Sequence, residues 1–339
     1  MRSAVSTMEN TFHITVVIPA YNAASHIERA IRSVLAQTYP ADEVIVVNDG
    51  SADQTSEIVR QFGSRVRLIE QANAGVSAAR NAGIQAAAGQ WIAFLDADDE
   101  WLPNHLEKHR TLLSQNPFLV WSTGNFLTCS CLEKRQAAFI TPQYAKQVLG
   151  AKQYLEDYLV GCQKEMGGCS DTMIIQRRIL MEAGLFAVGV ARGEDLDLWW
   201  RIAYRHPQVG YVDEPTAIYH VGVAGSCTKK MGEVADYINP IRRHLELSGQ
   251  AGRQQAFVPV AQQYTRLWIR SMLFDARSGD IRRLISEFPT FYSFGYKVCI
   301  HLLTLFPSLT AAGCRIISKV VRTLHLRRRL VAPPRKIKS

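Results

Sequence analysis

Past Glu287 the chain holds no aspartate or glutamate, while ten lysines and arginines follow, from Lys297 to Lys338. The formal net charge of +9 therefore belongs to the C-terminal stretch, since the remainder carries 29 basic and 30 acidic residues. A uniformly basic main body is excluded, and no nucleic-acid recognition motif accompanies the charge. Cysteine is sparse: seven residues, an odd number, with no C-x-x-C spacing. That pattern argues against a disulfide framework and a zinc knuckle and leaves buried free thiols. No G-x-G-x-x-G follows the first predicted strand, which disfavours a dinucleotide-binding Rossmann domain. No G-x-x-x-x-G-K-[ST] occurs either, which removes the P-loop. Met1–His13 lacks an apolar h-region, so a cytoplasmic protein is expected. The apolar run Val298–Gly313 is interrupted by His301 and Pro307 and is too short to span a bilayer. No internal repeat or low-complexity tract is visible.

What is present begins with alternation. Thr15–Ile18, Glu43–Val47, Val66–Ile69 and Trp91–Leu95 are continuous apolar or near-apolar runs, as buried parallel strands are. Between them lie helical stretches at Ala23–Gln37, Asp53–Phe62 and Gly75–Ala88; in the first, Ile27, Ala30, Ile31, Val34 and Leu35 recur at helical spacing. Strand alternating with helix predicts an α/β domain built on a mostly parallel sheet. Further on, the pattern predicts strands over Leu119–Leu127, Asp171–Ile175, Val209–Val212 and Thr216–Tyr219. It predicts helices over Lys146–Leu159, Arg177–Ala183 and Glu194–Arg205. Beyond about Gly225 it becomes all-helical, over Val234–Leu247, Val258–Ala276, Ile281–Glu287 and Phe291–Leu330. The expected division is residues 1–225 for the α/β domain and 226–339 for a smaller helical region.

Ligands in such sheets lie at the carboxyl ends of the strands. Here those ends carry Pro19-Ala20-Tyr21-Asn22, Asn48-Asp49-Gly50-Ser51, Glu70–Asn73 and Asp96–Asp99. Three carboxylates, Asp96, Asp98 and Asp99, crowd the end of the Trp91–Leu95 strand. Converging carboxylates repel one another and are costly to bury unpaired, so the cluster suits a cation. Oxygen-only ligands favour Mg²⁺ or Mn²⁺, ions commonly shared with substrate phosphates. The same residues also suit a solvated acidic turn ahead of a helix begun by Pro103.

Four segments, in order, resemble the family 2 glycosyltransferases of the GT-A fold: VVIPAYNAASHIERAIRSVLAQTYPADEVIVVNDGSADQT, then NAGVSAARNAG at Asn73–Gly83, FLDADD, and GEDLDLWWR at Gly193–Arg201. The resemblance covers Thr15 to about Thr228. It implies an inverting transfer of a sugar from a nucleoside diphosphate, UDP by expectation, to an acceptor hydroxyl, aided by Mn²⁺ or Mg²⁺. It implies that Asp98 ligates the metal and Asp96 contacts the donor ribose, with Asp99 near enough to act through a bound water. Related sequences carry a late histidine that can face the metal or diphosphate, and the resemblance gives His220 that place, with a structural histidine as the competing reading. It gives Asp49 the nucleotide base, with Tyr21 covering a pyrimidine face beside Pro19, and Arg80 the nucleotide side. Asp195 takes the position of the general base, next to Glu194 on the acceptor side. Asn48 departs from the doubled aspartate often found there. Adjacent Trp199 and Trp200 cannot share one helix face, so one is expected in the core and the other along the acceptor groove.

In the tail, Arg315, Lys319 and Arg322 share one helical face, with Arg327-Arg328-Arg329 beyond. A basic amphipathic segment beside an apolar one suits a helix lying on an anionic membrane; a helical domain packed on the core with a basic end is the competing reading. The expected partners are a nucleotide-sugar donor, a glycan or glycolipid acceptor and an anionic membrane surface at the inner face of the cytoplasmic membrane, without nucleic acid. A non-catalytic protein using the same fold for binding at a membrane is the alternative.

Overall fold

The computed structural model describes residues 12–130, 135–190, 192–222 and 232–316. The chain opens with β1 (Ile14–Ala20), α1 (Ile27–Leu35), β2 (Glu43–Asp49), α2 (Thr55–Arg60), β3 (Arg67–Gln71), α3 (Val76–Ala86) and β4 (Trp91–Phe94). Next come β5 (Glu100–Trp101), α4 (His105–Gln115), β6 (Trp121–Gly124), β7 (Leu127–Ser130) and β8 (Arg135–Ala138). These are followed by α5 (Pro142–Leu149), β9 (Tyr154–Leu155), α6 (Tyr158–Gln163), β10 (Ile174–Gln176), α7 (Arg177–Glu182), α8 (Glu194–Arg205), β11 (Val209–Val212) and β12 (Ala217–Val221). The helices α9 (Ala235–Gln250), α10 (Gln254–Phe274), α11 (Ser278–Glu287), α12 (Phe294–Leu305) and α13 (Pro307–Ile316) close the described chain.

An eight-stranded sheet runs in the order β3-β2-β1-β4-β10-β6-β11-β9, and a four-stranded sheet in the order β5-β12-β7-β8. β1, β2, β3 and β4 are parallel; β1, β2 and β4 are buried apolar runs, with every residue of β1 buried, and β3 lies at the sheet edge. β10 enters antiparallel between β4 and β6. The α1 face Ile27, Ala30, Ile31 and Val34 packs into the same core as Ile14, Val16 and Ile18. α3 lies very close to β1: a Cβ at Gly83 would meet Val17 Cγ1 at 2.4 Å, so only glycine allows the approach.

Four predicted elements differ. Leu119–Leu127 is not one strand but parts of two, β6 and β7, which belong to different sheets. Lys146–Leu159 is not one helix: α5 stops at Gly150, whose φ of 63° leaves the helical region, and β9 and the start of α6 follow. Asp171 lies in a single 3₁₀ turn, Ser170–Thr172, ahead of β10. Within Phe291–Leu330 the described part breaks between α12 and α13 with a 103° bend at Phe306-Pro307, and residues 317–330, with Lys319, Arg322 and Arg327–Arg329, lie outside the described residues.

The described residues up to 222, with His244–Phe257, form one compact unit; residues 232–243 and 258–316 form a second. In the first, Asp197 pairs with Arg201 at 2.6 Å and with His244 Nε2 at 3.0 Å, and the His244 ring packs against Trp200 and Phe257. In the second, Val260, Ala261, Ile269, Met272, Ile281 and Leu284 are fully buried.

α4 carries a buried aromatic column. His105 stacks on Trp101 at 4.1 Å and touches the His109 ring at 4.6 Å. Each Nδ1 meets a hydroxyl, Thr216 for His105 and Ser122 for His109, while neither Nε2 has a hydrogen-bond partner. Burial, and for His105 the neighbouring ring, hold both imidazoles neutral, with His109 pushed down to about 3. In the unfolded chain each titrates near 6.5, so below that pH the unfolded state binds more protons and the fold loses stability. We expect unfolding free energy to fall by up to about 1.4 kcal/mol per pH unit for each histidine as pH drops from ~6.5 toward 4. Denaturant melts of the wild type and of His109→Leu check this; equal acid slopes would exclude His109 as a contributor.

Candidate active site

The site grows from the carboxyl ends of β1, β2, β3 and β4. The register sets Ala20 opposite Asn48 and Asp49 opposite Gln71, so the β1 and β3 ends flank the β2 end. Short polar side chains lace the first two loops: Asn22 N–H donates to Ser51 Oγ, Ala23 N–H to Thr55 Oγ1 and Ala24 N–H to Asp53. Pro19 is buried in β1, while Tyr21 stands just beyond it, 55% exposed, its ring open to a planar ligand.

Asp49 is buried and anchors the approach to α3. Its Oδ1 accepts from Gln71 Nε2 (2.7 Å) and Ala74 N–H (2.9 Å), and its Oδ2 from Gly75 N–H (2.8 Å). Gln71 thus joins the site, a residue the motifs did not mark. Asn48 uses both ends of its amide, donating to Ser56 Oγ at 2.6 Å and accepting from Ser51 N–H at 3.1 Å. A carboxylate there lacks the donor, which explains asparagine in place of the doubled aspartate.

Arg80, on α3, is 3% exposed and joins two regions far apart in sequence. It meets Asp96 at 2.7 Å and Glu194 at 3.0 Å, and its guanidinium lies 5.2 Å from the centre of the Phe186 ring. Burial alone would lower its proton affinity, but the Asp96 and Glu194 carboxylates raise it above the ordinary arginine range.

The turn after β4 closes with an Asp99 N–H to Asp96 O bond of 3.1 Å. Asp171, from the 3₁₀ turn before β10, reaches into it: its Oδ1 accepts Asp96 N–H at 2.8 Å and its carbonyl accepts Trp101 Nε1–H at 2.7 Å. Carboxylate oxygens of Asp96, Asp99 and Asp171 lie within 4.8 Å of one another. Burial, and then the Asp171 charge, push the Asp99 carboxyl far up. Burial, and then the Asp96 charge, raise Asp171. The Cys169 thiol donates to Asp171 at 3.6 Å and is itself pushed up by burial and then by Asp171. An all-oxygen set of mutually repelling carboxylates fits a hard divalent cation.

Asp98, in the same turn, is not one of these three. Its carbonyl accepts from Arg29, and its carboxyl is raised by burial and then by Asp96. The antiparallel register of β5 and β12, with Ile218 opposite Glu100, carries His220 to this turn. There its N–H donates to Asp99 at 2.6 Å and its Nε2 meets Glu100 at 2.9 Å. Asp98 and His220 both act electrostatically on His26. The structure therefore places Asp98 and His220 beside the Asp96, Asp99 and Asp171 trio and outside it. Asp171 lacked any motif; the only cue was the polar Gly167–Asp171 run ahead of an apolar triplet.

Asp195 completes the group. It is the second residue of α8, which Glu194 begins after Gly193, whose φ of 68° makes the turn into the helix. Its Oδ2 accepts from Ser170 Oγ at 3.4 Å. Burial, and then Glu194, push its carboxyl up to about 6, against the pull of Arg80. Asp96 acts on both Asp98 and Asp195, which sets these two carboxylates in one electrostatic neighbourhood. Trp199 and Trp200 are both buried, Trp199 against Phe94 and Phe186 and Trp200 against Phe257, so neither lines a groove.

A mixed sheet of this order, with acidic residues gathered at its carboxyl edge, defines a glycosyltransferase of the GT-A fold. Residues 15–183 match the family described as Glycosyl transferase family 2, and the chain belongs to that family. An uncharacterized glycosyltransferase of Escherichia coli (strain K12), YibD, is 44% identical over 108 residues, which is 31% of each chain. One from Rickettsia prowazekii is 27% identical over 228 residues, covering 66% of this chain and 69% of the relative. Among solved structures, residues 1–349 of Staphylococcus aureus TarS, in complex with UDP-GlcNAc, superpose with a TM-score of 0.67 at 15% identity, covering 92% of both chains.

Proposed function

We propose that this chain transfers a sugar from a UDP-sugar to an acceptor hydroxyl with inversion at the anomeric carbon. The acceptor is a lipid-linked or polysaccharide glycan of the cell surface, and the enzyme works at the inner face of the cytoplasmic membrane. The observation that carries the reaction is Arg80, whose two ion pairs tie the donor-side Asp96 to the α8 turn bearing Asp195. TarS, of the same fold, was solved with UDP-GlcNAc and with UDP, which supports a UDP-linked donor.

In this reading Tyr21 covers the base, Asp49 accepts from it, and Asp96 meets the ribose. Asp98, which the resemblance makes the ligand, would hold Mn²⁺ or Mg²⁺ together with the neighbouring Asp96, Asp99 and Asp171 carboxylates, with His220 beside them. Such an ion supplies charge neutralisation to the leaving diphosphate. Asp195 accepts the proton as the acceptor oxygen bonds to the anomeric carbon and the bond to the diphosphate breaks. A carboxylate raised to about 6 is a better base than a solvated one and remains ionised at neutral pH. Ser170 holds that carboxylate from the side.

Calorimetric titration of UDP with and without Mn²⁺ tests the donor half. Wild-type affinity should rise with the ion, and Asp98→Ala should lose about tenfold or more of that gain. An affinity indifferent to Mn²⁺ in both proteins would remove the metal from the reading.

A further inference from the structure

The last two described helices, α12 and α13, expose most of their large apolar residues. On α12 the inward residues are Ile300 and Thr304, and on α13 Ala311. The bulky apolar residues face outward: Phe294 is 79% exposed and Leu309 72%, with Leu302, Leu305, Phe306 and Ile316 each half exposed or more. Isolated exposed leucines are ordinary, but a continuous outward row on two successive helices marks an interaction surface. Cations accompany it. Arg282 and Lys297 line an apolar groove of about 360 Å³ shared with Ile285, Val298, His301 and Leu302. Arg315 lies near the end of α13, and no acidic residue occurs in sequence after Glu287.

We infer that the outward face of α12 and α13 docks on an anionic phospholipid surface, with Phe294, Leu302, Phe306 and Leu309 entering the acyl boundary and Arg282 and Lys297 meeting headgroup phosphates. Among the described residues no single helix is long and apolar enough to cross a membrane. α12 has 12 residues, about 18 Å of helix against a hydrocarbon core of about 30 Å. The 103° bend prevents α13 from extending it as a straight rod. A short apolar row with basic flanks is the pattern of a segment lying in the interface plane. Charge decides between occupants: a second copy of this chain would bring its own basic rim against the first, whereas an anionic surface complements it. This deepens the membrane part of the reading above, and its test involves neither donor nor acceptor.

The test is co-sedimentation of the full chain with phosphatidylcholine vesicles and with vesicles that also contain phosphatidylglycerol. Wild type should partition at least about tenfold more into the anionic vesicles at low salt. The triple variant Phe294→Ser, Phe306→Ser, Leu309→Ser should lose about tenfold or more of that partitioning while keeping wild-type UDP affinity and melting temperature. Hydrogen exchange on wild type should slow across residues 294–316 when vesicles are added. Unchanged partitioning of the triple variant would assign binding to the basic tail alone and overturn the inference. Absence of wild-type partitioning would do the same, as would a variant that changes oligomeric state in sedimentation velocity but not vesicle binding.

Discussion

Asp195→Asn should leave UDP affinity within about twofold of wild type and lower transfer by about 10²–10⁴-fold, the span that a positioned general base contributes. The substitution keeps the size of the side chain and its contact with Ser170 while removing the charge that, in the proposed reaction, accepts the proton. The wild-type pH profile of kcat/KM should show an acid limb centred near 6, because burial and Glu194 raise this carboxyl to about 6. Below that value Asp195 is protonated and cannot accept a proton, so the rate falls about tenfold per pH unit; as pH rises through 6 the ionised base forms and the rate recovers. A profile with its acid limb unchanged in Asp195→Asn, or turnover equal to wild type, would eliminate Asp195 as the base.

The second large effect is structural. Arg80→Met should cost about 3 kcal/mol, the low end of what breaking a buried ion pair costs, because Asp96 and Glu194 keep partial access to water. For a domain of this size that is a fall of about 10 °C in melting temperature. Two carboxylates lose their shared cation at once, and the packing of the guanidinium against Phe186 is lost with them. Arg80→Lys should fall between, since an ammonium lacks the planar fork that meets two partners. Thermal denaturation followed by circular dichroism measures both; a melting temperature for Arg80→Met within a degree of wild type would show that the network contributes nothing to stability.

β1, β2 and β4 were legible because burial on both faces leaves a continuous apolar run that little else imitates, while β3, at the sheet edge and without a buried residue, was read from its place in the strand–helix alternation. The polar residues closing them, Tyr21, Asp49 and Asp96–Asp99, stand at the strand ends in the structure as the spacing requires. The middle of the chain was opaque for a physical reason. β5 and β9 are two residues each, too short to carry any period, and β10 is three. Their identity is fixed by the partners they dock against, not by their own sequence. Trp199 and Trp200 misled because a helix enclosed on nearly all sides can bury adjacent aromatics, one toward Phe186 and the other toward Phe257. Asp171 escaped notice because its place beside Asp96 depends on β10 entering the sheet antiparallel, 75 residues downstream.

That late insertion has a consequence for how the molecule comes into being. β1 to β4 can assemble from neighbouring segments, and nothing in that step forces Asp171 toward Asp96 and Asp99. The last of the three carboxylates arrives only when a distant segment slots between β4 and β6, a long-range closure of the kind that is slow to form. Asp171 meets Asp96 and Asp99 only once β10 has paired with β4, so the repulsion among the three carboxylates opposes that pairing and no earlier contact.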